Sequence, residues 1–196
     1  AAVAAAVAFW AGSSMVDSPE KASADKATTT TSGPSTTTAG NLVEFRDEKA
    51  GWALSYPKSW IRLESSDADV PLVVSQKPPE VNQGGSILAR TLALAAPVTD
   101  ANLAAAKGVT DTIVTAGEGV ELLTEQPTVI HQGGLPGYFY LYRFKDPATG
   151  QNGVHTHYFL FKGSTMISFV FQALPEGDFQ ALAGLYDEVI SSFRVL

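Results

Sequence analysis

The chain has 196 residues, of which 45% are hydrophobic and 17% charged, with no cysteine and a formal net charge of −7. The lack of cysteine excludes disulfides, thiolate metal sites, a thiol nucleophile and a cysteine-linked lipid anchor in the printed chain. The acidic balance excludes a general nucleic-acid-binding protein, which needs basic clusters to displace counterions from phosphates.

Three regions of different composition follow one another along the chain. Residues 1–12, AAVAAAVAFWAG, are apolar and uncharged, and residues 13–40 hold six serines and seven threonines. The first region is interpreted as the remnant of a signal peptide or membrane anchor, with an unstructured Ala-rich start as the alternative. The second is too polar to bury a core and is predicted to be a disordered Ser/Thr-rich linker. Residues 41–196 are predicted to form one folded domain with 11 basic and 17 acidic residues.

The first half of the domain predicts strands and one helix. Alternating or β-branched apolar residues indicate strands at Leu42–Arg46, Trp52–Tyr56, Val70–Ser75 and Ser86–Leu94, the first two forming a hairpin. Trp60–Leu63 is expected to be extended after a bend at Pro57, which lacks an N–H for a central strand. A helix is predicted over Thr99–Ala116, with Thr99 or Asp100 as its cap.

The second half predicts an aromatic meander followed by a helix. A strand over Val120–His131 is interrupted at Pro127, and three consecutive antiparallel strands follow at Tyr138–Lys145, Val154–Lys162 and Thr165–Ala173. Apolar residues at helical spacing from Phe179 to Phe193 predict the last helix, with Asp178 as its N-cap. Residues 194–196 could add a short strand. The expected fold class is α+β, one antiparallel sheet flanked by two helices.

Four stretches of the domain resemble a known superfamily. The opening FRDEKAGWALSYPKSW contains an aromatic-small-Pro-x-x-Trp turn, the hairpin FKDPATGQNGVHTHYFLF is rich in aromatic residues, and the last helix ends in ISSFRV. In this order, and with a middle helix, they resemble the PsbP/Mog1-like superfamily over roughly residues 43–195. The residues that carry the resemblance are structural: Tyr56, Pro57, Trp60 and Phe193. The resemblance implies an α/β/α sandwich of Mog1/PsbP type.

The same resemblance implies a function without classical enzyme chemistry. Members of the superfamily include lumenal extrinsic subunits of photosystem II, a nuclear-transport factor that binds a small GTPase, and actinobacterial envelope proteins that include lipoproteins. All act by contacting a larger partner. The Ala/Thr-rich start is most similar to an actinobacterial exported or membrane-anchored protein, although Ser13 stands where a lipoprotein would carry its anchoring cysteine.

Two histidines are the candidate metal ligands. His155 and His157 are two apart on a predicted strand and therefore share a face, where two imidazoles could ligate zinc or a similar metal. A site would need a further ligand, for which His131, Glu121 or Asp146 is available in the sequence. The alternative is a pair of half-exposed histidines on a solvated strand end. No catalytic constellation and no cofactor motif are recognised.

An aromatic ladder is the candidate surface for a ligand or partner. Tyr138, Tyr140, Tyr142 and Phe144 lie on one face of a predicted strand, and they could form a groove for an acyl chain or a contact surface. The alternative is that the ladder packs beneath the helices, which need an apolar platform.

These observations predict a non-enzymatic, membrane-tethered or exported accessory protein that binds a partner protein in the cell envelope. The expected location is extracytoplasmic, with the membrane reached through the N-terminal segment. One alternative is a carrier of lipid or another small apolar ligand in envelope lipid transport. A second is a lumenal protein like the extrinsic subunits of photosystem II.

Overall fold

The computed structural model describes residues 41–81, 83–117, 119–124 and 126–196. The predicted anchor remnant at 1–12 and linker at 13–40 lie outside the described residues and stay predictions. In chain order the elements are β1 (Leu42–Asp47), β2 (Trp52–Pro57), β3 (Ile61–Leu63), β4 (Leu72–Ser75), β5 (Gly84–Val98), α1 (Leu103–Thr115), β6 (Glu121–Leu122), β7 (Thr128–Gln132), β8 (Leu135–Lys145), β9 (Asn152–Leu174), α2 (Phe179–Ser191) and β10 (Arg194–Val195).

The strands form two sheets instead of the single sheet that the sequence predicted. A small sheet has the order β1-β2-β10, because the last strand returns to pair with Trp52 and Ala53 of β2. The large sheet has the order β3-β4-β5-β9-β8-β6, and β7 also pairs with β8. All pairings are antiparallel. Sequence periodicity could not assign the last strand to a sheet, because pairing between distant strands leaves no local pattern.

β9 doubles back on itself at a glycine. Nε2 of His155 lies 2.9 Å from Oε1 of Gln172, 17 residues further on. In one straight strand these residues would be about 56 Å apart. Gly163, with φ of +58°, lies between the two halves, in the gap between the strands predicted at Val154–Lys162 and Thr165–Ala173. The first half pairs with β8 and the second with β5, which confirms the predicted meander.

Each face of the large sheet is covered by different elements. The larger hydrophobic core joins one face to α2 and the small sheet, through Trp52 and Leu54 of β2 and Leu182, Tyr186 and Val189 of α2. A second core joins the opposite face to α1. Its buried members are Leu103, Ala106, Val114, Tyr138, Tyr140, Tyr142, Phe159, Phe161 and Met166. The α+β class and the α/β/α layering expected from the sequence are confirmed.

Both helices differ from prediction at their N-termini. A 3-10 turn occupies Asp100–Asn102, and α1 begins only at Leu103. Thr99 precedes that turn, and its backbone N–H donates to the side-chain oxygen of Asn102 at 2.7 Å. Asp178 stands at the N-cap of α2 in helical geometry and makes no side-chain capping bond, so its predicted capping role is wrong. A 3-10 turn at Glu176–Asp178 replaces the expected cap.

The four residues that carried the superfamily resemblance are packing residues. The N–H of Trp60 donates to the carbonyl of Pro57 at 3.0 Å, which closes the turn after β2. The Trp60 ring meets that of Tyr186 edge-on, with centroids 6.4 Å apart. Phe193 packs against Phe169 at 5.4 Å. Tyr56 packs at the border of the larger core, and Pro57 is buried.

Gly184 offers a simple test of the helical layer. It is exposed within α2, and a Cβ added there would meet nothing within 4 Å. Because glycine costs more backbone entropy in a helix than alanine, Gly184→Ala is expected to raise the free energy of unfolding by about 0.5–1 kcal/mol, measured by urea denaturation. Gly163→Ala is the matched control, since its Cβ also meets open space but its φ is +58°. That variant should be less stable than the wild type. Stabilisation by both changes would contradict this explanation.

Candidate functional site

The tyrosine ladder and the two histidines face one another across β8 and β9. In the antiparallel register Tyr142 lies opposite His155, Tyr140 opposite His157, and Tyr138 opposite Phe159. Residues directly opposite in a strand pair share a face, so all of these side chains lie on the face covered by α1. The register therefore assembles two separately predicted sets of residues into one cluster.

The first two tyrosines of the ladder fasten α1 to the sheet. Oη of Tyr138 donates to the carbonyl of Leu103 at 3.2 Å. Oη of Tyr140 donates to Oδ1 of Asp111 at 2.8 Å and lies 2.5 Å from Oγ1 of Thr110. Thr110 is fully buried. These contacts, together with the apolar side chains of α1, account for the burial of this part of the ladder.

The third tyrosine bridges the histidines. Oη of Tyr142 lies 3.1 Å from Nδ1 of His155 and 3.3 Å from Nδ1 of His157. At the other end, Nε2 of His155 contacts Oε1 of Gln172. An amide oxygen only accepts, so His155 carries its proton on Nε2 and accepts at Nδ1 from Tyr142. The tyrosine oxygen then accepts from Nδ1–H of His157. The hydrogen bonds therefore form a chain that runs in one direction, from His157 through Tyr142 and His155 to Gln172.

This hydrogen-bond chain leaves one nitrogen of His157 without a partner. With its proton on Nδ1, His157 has a lone pair on Nε2, and that buried atom has no hydrogen-bond partner in the structure. Oγ1 of Thr156 is also buried without a partner, but alternation along the strand puts it on the opposite face. Both rings are held by stacking, His155 on Phe144 with centroids 4.1 Å apart and His157 on Phe159 at 3.9 Å.

Burial controls the ionisation of the cluster. Removal from water lowers the pKa of His155 to about 4, against a smaller opposing effect of the hydrogen bond to Gln172. Burial first, and the neighbouring His155 second, hold the pKa of His157 well below its ordinary value. Burial also raises the pKa of Tyr142 well above that of a free phenol. All three groups are therefore neutral at pH 7 in the folded protein.

The predicted metal site is not assembled by these residues. No group of three His, Asp or Glu residues capable of holding a metal occurs among residues 41–81, 83–117, 119–124 and 126–196. The proposed third ligands have other partners: His131 contacts Asp100 at 2.5 Å, and Glu121 pairs with Arg143 at 2.5 Å. Asp146 accepts from Thr149. Three of the four imidazole nitrogens of the histidine pair are used by Tyr142 and Gln172, and the structure thus gives these residues a hydrogen-bonding role.

The exposure expected for both sets of residues is also corrected. His155 and His157 are 5% and 4% exposed, so the picture of half-exposed histidines on a solvated strand end is wrong. Tyr138, Tyr140 and Tyr142 are buried and Phe144 half-buried, which agrees with packing beneath a helix. The ladder is not an exposed surface while α1 covers it, and its predicted role towards a ligand or partner stays untested.

Sequence reasoning missed a network of ion pairs on the opposite face of the same strands. Arg143 donates through Nε and Nη2 to both carboxylate oxygens of Glu176, at 2.8 and 2.6 Å, and through Nη1 to Glu121. These bonds hold the pKa of Glu176 below its ordinary value. The pairing joins β8 to β6 and to the turn before α2. The alternation of Arg143 with Tyr142 and Phe144 was the only available signal, and it could not identify the partners.

The charge on α1 is also paired. Nζ of Lys107 lies 2.6 Å from Oδ2 of Asp111, and this contact lowers the pKa of Asp111 together with the bond from Tyr140. Among the described residues, neither α-helix is long and apolar enough to cross a bilayer.

Comparison with known proteins identifies the fold. No family model and no curated protein matches the sequence. Among solved structures, cyanobacterial PsbP (CyanoP) from Synechocystis sp. PCC 6803 matches with a TM-score of 0.55 and 18% identity, over 84% of this chain and 98% of that one. The yeast (Saccharomyces cerevisiae) Ran-binding protein Mog1p matches with a TM-score of 0.53 and 15% identity, over 79% and 95%. The chain has the Mog1/PsbP-like fold.

A third match adds an envelope protein to this Mog1/PsbP-like group. LpqN of Mycobacterium tuberculosis, described as involved in cell envelope biogenesis, matches with a TM-score of 0.57 and 12% identity. The match covers 80% of this chain and 92% of LpqN. At these identities the comparison establishes the Mog1/PsbP-like fold alone, because one fold carries different functions.

Proposed function

We propose that this Mog1/PsbP-like domain is a non-enzymatic accessory domain that binds a protein partner in the cell envelope, with its N-terminal segment as the membrane tether. The descriptions of two proteins of the same fold support this proposal: one binds Ran, and the other is involved in cell envelope biogenesis. The composition of residues 1–40 supports an extracytoplasmic location.

The observation that carries the proposal is an apolar stretch along one edge of the large sheet. β6 and β7 both pair with β8, opposite the side that β9 occupies. Leu122, Leu123 and Val129 on and beside these strands are 40%, 39% and 56% exposed. Leu122 lies opposite Tyr142 and Val129 opposite Tyr138, so the two share a face and are about 13 Å apart along β8. Exposed apolar side chains along the edge of a sheet are candidates for contact with another protein.

Site-specific photocrosslinking in native membranes tests this edge. A photoreactive phenylalanine analogue at Val129 should give one reproducible crosslinked protein, whereas the analogue at Val43, 38% exposed on the small sheet, should not. The double variant Leu122→Glu/Val129→Glu should abolish recovery of that protein, and Val43→Glu should retain it. A carboxylate desolvated in an apolar contact is costly, which is why the glutamates discriminate.

The possible outcomes test the proposed binding function and the assigned surface independently. Recovery of a partner that is unaffected by the double variant would overturn the assignment of the edge. Recovery of the domain alone at every concentration would overturn the proposed binding function.

A further inference from the structure

The hydrogen-bond chain through Tyr142 accommodates one arrangement of protons. His157, Tyr142 and His155 each contribute one hydrogen, and the carbonyl oxygen of Gln172 receives the last of them. Each hydrogen in this hydrogen-bond chain has an acceptor, and no acceptor within it is left for another hydrogen. The buried Nε2 of His157 is the one nitrogen of the histidine pair that lies outside these contacts.

A further proton cannot be placed on this cluster so that every hydrogen still has an acceptor. On Nε2 of His157 it would create a buried cation whose N–H lacks an acceptor. On Nδ1 of His155 it would face Tyr142, whose own hydrogen would then lose its acceptor. Either position leaves an unpaired donor together with an uncompensated charge, and both are costly in an apolar interior.

The charged groups on the surrounding elements do not relieve this cost. On α1, the carboxylate of Asp111 already accepts from Tyr140 and pairs with Lys107. On β5, Arg90 shares the face by strand alternation and pairs with Asp67 at 2.7 Å. The titratable side chains that β8 contributes to this face are the phenols of Tyr138, Tyr140 and Tyr142. His131 pairs with Asp100 just before α1 and away from the cluster.

α1 is the element that can detach from the sheet. It is fastened by the bonds of Tyr138 and Tyr140 and by the buried side chains of Leu103, Ala106 and Val114. Its outer positions Ala104, Ala105, Gly108 and Val109 are exposed, so none of the residues that the structure describes forms a further layer over it. The larger core around α2 lies on the other side of the sheet and contains none of the histidines.

We propose that α1 is an acid-released cover: protonation of the His155–Tyr142–His157 chain loosens α1 from the sheet and exposes the tyrosine ladder, while α2 and the small sheet stay packed. The closed state holds both histidines neutral, and an opened state would allow them to take up protons from water. Opening is therefore coupled to proton uptake and is favoured as the pH falls below the ordinary range of histidine. This device does not depend on the proposed partner.

Hydrogen exchange at single-residue resolution tests the proposal, with each rate corrected for its intrinsic pH dependence. Between pH 7.5 and pH 4.5 the protection of the α1 amides should fall about 70-fold through His155 alone, whose pKa lies near 4 when buried and near 6.5 when free. At pH 4.5 the α2 and β2 amides should stay more strongly protected than those of α1, because α1 opens without them, whereas complete unfolding also frees the histidines and lowers the protection of all amides. His155→Phe/His157→Phe should keep α1 protected at pH 4.5, and His131→Gln should respond as the wild type does.

Each outcome decides the proposal. Equal protection of α1 and α2 at pH 4.5 would show that α1 opens only when the whole domain unfolds, and unchanged protection of α1 between the two pH values would show that the cover stays closed. Either result overturns the proposal. Should the double variant fail to fold, as judged by its amide spectrum at pH 7.5, the single variant His157→Gln takes its place. Acid release that persists in a folded histidine variant would likewise overturn the proposal.

Discussion

Replacing Trp52 with alanine is expected to lower the free energy of unfolding by about 3–5 kcal/mol. Trp52 is fully buried in β2, and its ring packs edge-on against Phe169 at 5.2 Å. It also lies 6.5 Å from Phe193 and 5.5 Å from Phe45 between ring centroids. One side chain thus joins the small sheet, the large sheet and the segment that follows α2. Its removal leaves a cavity that three elements would have to move to fill.

Urea denaturation at pH 7.5 measures this effect. Val43→Ala is the matched control, because Val43 is an apolar residue of the same small sheet but is 38% exposed. It should change stability by less than about 1 kcal/mol. Comparable losses in the two variants would show that Trp52 does not hold the sheets together.

Gly137→Ala is expected to cost on the order of 3 kcal/mol although it adds a single methyl group. Gly137 is buried in β8 opposite Leu160. A Cβ at this position would lie 2.0 Å from the backbone carbonyl oxygen of Phe159 and 3.0 Å from Cδ2 of Leu160. The carbonyl belongs to the neighbouring strand and cannot rotate away as a side chain could. The two strands must separate or slip, which weakens the pairing that carries the tyrosine–histidine cluster.

The control for this variant is Gly177→Ala. Gly177 is exposed in the turn before α2, and a Cβ there would meet nothing within 4 Å. Thermal unfolding followed by circular dichroism should show a large decrease in Tm for Gly137→Ala and little change for the control. A melting temperature near that of the wild type for Gly137→Ala would mean that β8 and β9 can separate locally without loss of stability.

The sequence predicted most elements because their signals are local. The apolar stripe from Phe179 to Ile190 sets α2, and aromatic alternation sets β8 and both halves of β9. Gly137 shows where local signals end. The predicted strand begins at Tyr138, after the glycines and the proline of residues 133–137, yet Leu135–Gly137 already belongs to β8. The glycine is required by a neighbouring strand that is more than twenty residues away in sequence.

The candidate site was predicted in its members but not in its arrangement. Periodicity placed His155 and His157 on one face and the tyrosines on another strand, which left metal binding and solvent exposure as the open interpretations. The pairing of Tyr142 with His155 follows from the register of the β8–β9 hairpin. Gln172 becomes part of the cluster only because β9 doubles back at Gly163, and α1 packs on the three tyrosines of the ladder.

The sequence by itself determined the α+β class, the positions of the two helices and the aromatic strands, and the residues typical of a Mog1/PsbP-like domain. These follow from the spacing of apolar residues and from turn residues, which act over a few positions. The tertiary structure decided that β10 joins the small sheet, and that the histidines are neutral members of a hydrogen-bond chain. Strand pairing and burial depend on residues far apart in the chain, and ionisation follows burial, so only the assembled fold could fix them.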